Sequence, residues 1–320
     1  MRALDALNFC NAGIQTGLGP FMSIFYTSVR HWNPGQVGLL LALQSFAGIG
    51  LQSVIGNVVD QSHRKRLLTA TAAIVVACGA AGIAAFPNYG IQIAVQLVIG
   101  VAVTFFPAAT AAFALGMSEE NEVTGRVARN ETFTHSGNVV FAATAGVVGS
   151  LIALATIFYS AAAFAAGMAI AALFIKEQHV NFEAARAGNG DGKEGEEPKG
   201  YRELFRDKRI LYFTLAVVLF NVSNAATLPL VGEIFSKAKK GAGSAWQVAA
   251  AVFVAEVVMV LVAMFTGKKA DNWGRKPLFL LAFGFLAVRN GLNLVSHQPA
   301  YLIGLQTFGG VAASTLSVEI

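Results

Sequence analysis

The chain has 320 residues and a formal net charge of +5, and its composition excludes an ordinary soluble domain: 55% of residues are hydrophobic and only 13% charged, against about 25% charged in soluble proteins. The charge lies in a few short blocks, separated by apolar runs of about 20 residues, the length a helix needs to cross a ~30 Å hydrocarbon core. Because the basic residues flank apolar segments, they read as membrane orientation, and no nucleic-acid partner is expected.

In chain order, ten membrane-spanning helices are predicted, near 4–29, 34–56, 67–86, 89–115, 130–152, 154–175, 210–234, 244–267, 277–296 and 299–320. Lipid admits only helices or closed barrels, and runs of this length are too long for barrel strands. The first run is too long for a signal peptide, and Asn8, Asn11 and Gln15 interrupt it. Between the sixth and seventh helices lies EQHVNFEAARAGNGDGKEGEEPKGYRELFRDK, whose glycine and charge content predicts a flexible linker. Its end, with Leu204 and Phe205, has the pattern of a short interfacial helix. The expected organisation is a six-helix bundle over 1–176, a cytoplasmic linker over 177–208 and a four-helix bundle over 209–320. Cys10 and Cys78 both fall in apolar runs, which argues against a disulfide framework. Trp32 and Trp246 fall near outer boundaries, where indole rings anchor at the interface.

With the amino terminus inside, eighteen of the 23 lysines and arginines fall on cytoplasmic segments. Only Arg30, Lys237, Lys239 and Lys240 fall outside, and Arg289 lies within a helix. This asymmetry sets the orientation and predicts a multi-pass protein of the cytoplasmic (inner) or plasma membrane, with the lipid bilayer as its first partner.

Two short stretches repeat. GNVVDQSHRK runs from Gly56 to Lys65 and GKKADNWGRK from Gly267 to Lys276, with glycine, aspartate, arginine and lysine in register. Both sit after a long apolar segment and before another, in the second and eighth interhelical connections. A second echo pairs Asn8-Phe-Cys-Asn11-Ala12 with Asn221-Val-Ser-Asn224-Ala225. Parallel six-helix repeats are a known design for secondary transporters.

Gly56, Asp60, Arg64 and Lys65, with Gly267, Asp271, Gly274, Arg275 and Lys276, match the loop motif G-x-x-x-D-x-x-G-R-[RK]. By these residues the chain resembles the major facilitator superfamily, departing from the motif at His63. The resemblance implies an all-α membrane protein of the 6+6 parallel-repeat type, with only about ten helices present. It implies secondary active transport of a small solute by alternating access, with a proton or another ion as a candidate coupling species. The end of the sequence after the tenth helix, where the family has twelve, reads as a truncation. A non-transporting membrane sensor or an inactive truncated fragment is the alternative, and solute flux in reconstituted vesicles separates the two. The motif itself has a physical reading. Gly56 permits close packing where the second helix ends, and Asp60 faces the positive end of a neighbouring helix. Arg64 neutralises Asp60, and Asp271 with Arg275 reaches the start of the fifth helix near residues 126–131. In the family the cluster acts as a cytoplasmic gate, and the resemblance implies that role here.

Charged groups at mid-membrane cost about 2.5–3.5 kcal/mol on insertion scales. Glu256 and Arg289 lie at similar depths on consecutive helices and are expected to pair, with Glu256 also a candidate proton- or substrate-binding carboxylate. Asn8, Asn11 and Gln15 share one helix face, as do His135 and Asn138, and Asn221 and Asn224. These amides and His135 either line a cavity or bond neighbouring helices. Gly13 and Gly17 either let helices approach or reflect ordinary membrane-helix glycine content. Gly146-Val-Val-Gly149 loosely resembles the family's antiporter motif but lacks its proline. There is no P-loop, no H-E-x-x-H and no paired-cysteine zinc spacing. No enzymatic activity, cofactor or metal is therefore expected, and the sequence leaves the oligomeric state open.

Overall fold

The computed structural model describes residues 2–118, 123–176, 208–225, 227–238, 242–273 and 275–317. Among them all regular structure is helical: α1 (Arg2–Gly17), α2 (Pro20–Ser28), α3 (Pro34–Gln61), α4 (Lys65–Ala85), α5 (Tyr89–Val103), α6 (Phe105–Gly116), α7 (Val123–Leu151), α8 (Ala155–Leu173), α9 (Lys208–Ala225), α10 (Thr227–Ala238), α11 (Ala242–Trp273), α12 (Arg275–Leu292) and α13 (Pro299–Ser317). These segments account for all ten predicted spans. The predicted linker, except Lys208, falls outside the described residues.

Among the described residues, six helical segments are long and apolar enough to cross a membrane by length and composition alone: α3, α4, α8, α11 and the in-line pairs α5–α6 and α9–α10. Large apolar side chains point outward on several of them, with Phe46, Ile49, Tyr212 and Val222 all more than 60% exposed. In water such a surface would aggregate; in lipid it is the expected exterior.

Local chemistry sets the helix ends. Asn33 caps α3 in a reciprocal box, its side chain accepting from the Gln36 amide while Gln36 accepts from the Asn33 amide. His31, at φ 57°, takes the left-handed turn just before that cap. The first predicted span is not one helix: Leu18–Gly19 interrupts it between α1 and α2, in the sequence Gly17-Leu-Gly-Pro20. Proline cannot donate to the preceding turn, and the glycines tolerate the irregular backbone. The fourth predicted span is similarly interrupted at Thr104, three residues before Pro107.

The most extensive packing joins α7 to α11, and α1 packs on both α7 and α8. Gly146 and Gly149 explain the closeness of the first contact. A Cβ on Gly146 would lie 2.7 Å from the Ala249 Cβ, and one on Gly149 would lie 3.2 Å from that of Ala245. The two glycines of the loosely matched antiporter stretch thus serve helix packing. The same holds for Gly13 and Gly17, which face the Phe164 and Phe141 rings at distances that exclude a side chain. A smaller contact joins α2 to α10, whereas α9 makes no comparable contact with the segments before residue 176.

Buried polar side chains pin the first part of the chain. Tyr26 donates to Gln92 at 2.9 Å and accepts from Gln96 at 2.9 Å, while the Gln92 amide donates to the Gly82, Ile83 and Phe86 carbonyls. This ties α2 and α5 to the end of α4.

Candidate functional site

Two cavities meet at the junction between the parts of the chain before residue 176 and after residue 208. One, of about 550 Å³, is lined by Gln44, Ser45 and Gln52 of α3 and by Thr104 and Pro107 beside the break in the fourth span. The other, of about 260 Å³, is lined by Asn224 of α9, Glu256 of α11, Arg289 of α12, and Gln306 and Gly309 of α13. Gly19, Ala225 and Pro229 line both. The result is a crevice with a few polar side chains on largely apolar walls, opening beside the interruption of the first span. Helix interruptions are tolerated at membrane depth only where protein or a cavity lines them. A separate groove of about 400 Å³ between α4 and α5 has an almost entirely apolar lining, as expected of a surface facing acyl chains.

At the edge of the crevice, His135 of α7 holds Glu256 of α11. Its Nδ1 lies 2.7 Å from the carboxylate oxygen, and its Nε2 lies 3.6 Å from Glu131. Both side chains of the close pair are nearly buried, at 11% and 12% exposure. This corrects the expected Glu256–Arg289 ion pair. The two residues share a cavity but do not pair, because Glu256 points toward α7 and takes its partner from a helix 121 residues earlier. Arg289 is 4% exposed, and its Nε and Nη2 have no hydrogen-bond partner among the described residues.

The other candidates separate by role. Asn224 lines the crevice with Glu256. Asn8 is buried and donates to the Leu4 carbonyl at 2.9 Å, and Asn11 is buried nearby. Asn138 accepts from Thr16 at 2.7 Å, fastening α1 to α7. Gln15 is exposed, and exposed Asn221 bonds back to the Val217 carbonyl. None of these last five lines either cavity. The missed lining residues Gln44, Gln52 and Gln306 had a signal, since each is an isolated amide inside an apolar run.

The repeated motif is placed differently from the sequence reading. α3 continues to Gln61, so Gly56 and Asp60 belong to a helix and only 62–64 form the turn. Nothing among the described residues comes within 4 Å of a Cβ built on Gly56, so close packing is not its role here. Asp60 and Arg64 form no ion pair, and Arg64 is exposed at the N-cap of α4. Lys65 does the closing instead. It is 2% exposed, and its Nζ donates to the Val59 carbonyl and, at 2.9 Å, to that of Asp60. A cation on the last carbonyls of a helix is favoured by the partial negative charge there. In the second copy, Gly267 and Asp271 lie on the backbone of α11, and Arg275 begins α12. The side chains of 263–275 and the whole of Gly274 lie outside the described residues, and Lys276 is exposed.

One cluster had escaped notice in the sequence. Asp5 of α1 accepts from Arg126 at 2.7 Å and from Arg129 through two bonds of 2.8 and 3.1 Å. The start of α7, expected to receive Asp271, is thus engaged by the first helix.

Comparison with known proteins places this geometry. The family model described as Major Facilitator Superfamily matches residues 4–318. An uncharacterized MFS-type transporter, found in two strains of Mycobacterium tuberculosis, is 34% identical over 314 residues, covering 98% of this chain and 75% of the relative. Crystal structures of the nucleoside transporter NupG, as a point mutant and without that label, superpose with TM-scores of 0.76 and 0.74 at 13% identity. Each alignment covers 99% of this chain and 80% of NupG. At that identity the likeness is one of fold.

Proposed function

Since the chain belongs to the major facilitator superfamily and is a multi-pass membrane transporter, we propose that it carries a small solute by alternating access along the crevice between residues 1–176 and 209–320. The amino terminus and the 177–208 segment face the cytoplasm in this reading, in keeping with the distribution of lysine and arginine. The coupling species is a proton, exchanged at the His135–Glu256 pair. The observation that carries the reading is this pair: an ionisable contact between α7 and α11, beside a crevice lined in part by polar side chains, at the most extensive helix-helix junction among the described residues. Protonating Glu256 removes the charge that holds His135, so proton binding loosens the junction that must rearrange. The other described charged groups on elements packed against this pair are Glu131, Asp5 with Arg126 and Arg129, Glu233, Arg289 and, at exposed helix ends, Arg2 and Lys276.

The contacts of the seventh span fit one state of such a cycle. Its outer helix α10 packs on α2, while its inner helix α9 stands apart from the first part of the chain. The conformation is therefore open toward the cytoplasm under the proposed orientation.

Single cysteines at Ser45 and Asn224, in a chain carrying Cys10→Ala and Cys78→Ala, test the pathway. In inside-out vesicles both positions should react with an impermeant maleimide, and Glu256→Gln should change the rate at each together. Reaction at neither position, from either side of the membrane, would refute the crevice as a path.

A further inference from the structure

Arg289 is the one described charge in the crevice with no protein partner, and its surroundings are specific. We propose that Arg289, framed by Gln306, Asn224 and Gly309, is the subsite for an anionic group of the transported solute, a carboxylate in particular. This deepens the transport reading and rests on the crevice being the path.

Three observations converge. The first is electrostatic. A buried guanidinium without a counter-charge is costly, and the acid that shares its cavity, Glu256, is held by His135. The site is left with a cation to be satisfied by something that enters. The second is geometric. No guanidinium nitrogen has a hydrogen-bond partner among the described residues, and the two that are fully buried, Nε and Nη2, together form the side edge of the guanidinium plane. That edge presents two parallel N–H donors, matched to the two oxygens of one carboxylate. Both atoms are shielded from water in this conformation, so the solute meets them as the side chain turns into the 260 Å³ cavity that it already lines. The third is steric. Nη1 rests against the bare backbone of Gly309, so a side chain at 309 would push the guanidinium out of this position. Gln306, 2% exposed, uses its amide nitrogen on the Leu302 carbonyl and keeps its oxygen for a donor group.

A monoanion suits the site better than a dianion. Glu256 lines the same small cavity, and a second negative charge would be repelled without a second cation to meet it. The solute class is a small organic monocarboxylate carrying a hydrogen-bond donor: with His135 and Glu256 paired as cation and anion, its single charge neutralises Arg289.

The test uses the purified full chain with acetate and benzoate at tens of millimolar and constant ionic strength, against acetamide and benzamide. At least one carboxylate should raise the melting temperature saturably by a few degrees, as binding to the folded state alone requires, and the amides should not. Arg289→Met and Gly309→Ala should each weaken that binding by about tenfold or more. Arg289→Met should also leave the unliganded protein as stable as the parent or more so, because it removes an unpaired buried charge; a structural arginine would instead lower stability. Neither carboxylate stabilising the parent, or equal stabilisation of Arg289→Met, overturns the subsite. Inorganic phosphate stabilising more than both carboxylates overturns the monocarboxylate assignment. Loss of proton-coupled flux in vesicles with carboxylate binding intact would instead count against the transport path.

Discussion

Replacing His135 by leucine removes the partner of a carboxylate that is nearly buried between α7 and α11. Breaking a buried pair costs about 3–5 kcal/mol, chiefly because one charge is left without compensation. Arg289 lines the same cavity and offers Glu256 a substitute attraction, which places the expected loss nearer about 2–4 kcal/mol. Glu256→Met alone leaves a histidine that discharges by losing its proton, at a cost of about 1–2 kcal/mol for the lost charged hydrogen bond. The double variant carries no buried charge at the contact and should fall within about 1 kcal/mol of the parent, or exceed it. The pair is therefore expected to show a coupling of about 2–6 kcal/mol in a double-mutant cycle. Reversible unfolding in mixed micelles, followed by tryptophan emission, measures it. Trp246 reports well because it lies against Gly146 across the same helix pair. Losses that add to within about 0.5 kcal/mol would refute the contact. A parallel cycle of Glu256→Met with Arg289→Met should give the smaller coupling, and the reverse ranking would restore the pairing expected from sequence.

Two further outcomes follow. Lys65→Met should cost about 1 kcal/mol in the same unfolding assay by uncapping α3, whereas Arg64→Ala, at an exposed and unpaired position, should change stability by less than about 0.5 kcal/mol. Cysteines placed in 177–208 should resist an impermeant reagent applied outside intact cells and react once the cells are opened, and ready labelling from outside would invert the proposed orientation.

The ten spans were legible because each is a run of apolar residues whose length the bilayer dictates. Their ends were less so. Hydropathy falls at Asn57 and Asp60, but nothing between Gly56 and Gln61 breaks a helix, so α3 continues beyond its apolar part. The interruption of the first span was written in Gly17-Leu-Gly-Pro20 and obscured by the continuous hydropathy around it. The partner of Glu256 was misjudged for a geometric reason. Matching Glu256 with Arg289 used depth in the membrane, which is one coordinate, whereas contact also requires that two side chains face each other around their helix axes. Neighbours in chain order need not satisfy that condition, and α7 does. Asp5 was passed over because an acid at a helix start needs no further explanation until Arg126 and Arg129 are seen on it.

The interruption at Leu18–Gly19 divides the first span into two members with different loads. α1 is clasped by α7 and α8, whereas the nine residues of α2 rest on α10 and hang from α5 through Tyr26. The joint is a fulcrum, and α2 is a short lever upon it. Torque applied at α10 can be taken up by a swing of α2 at Gly19, without bending α1 or sliding it along its neighbours. Under the proposed orientation, the outer contact is thus carried by a nine-residue, largely buried helix whose tie to α1 is the irregular backbone at Leu18–Gly19. A disulfide or bulky side chain that stiffens the joint should slow opening on that face far more than it changes the stability of the whole.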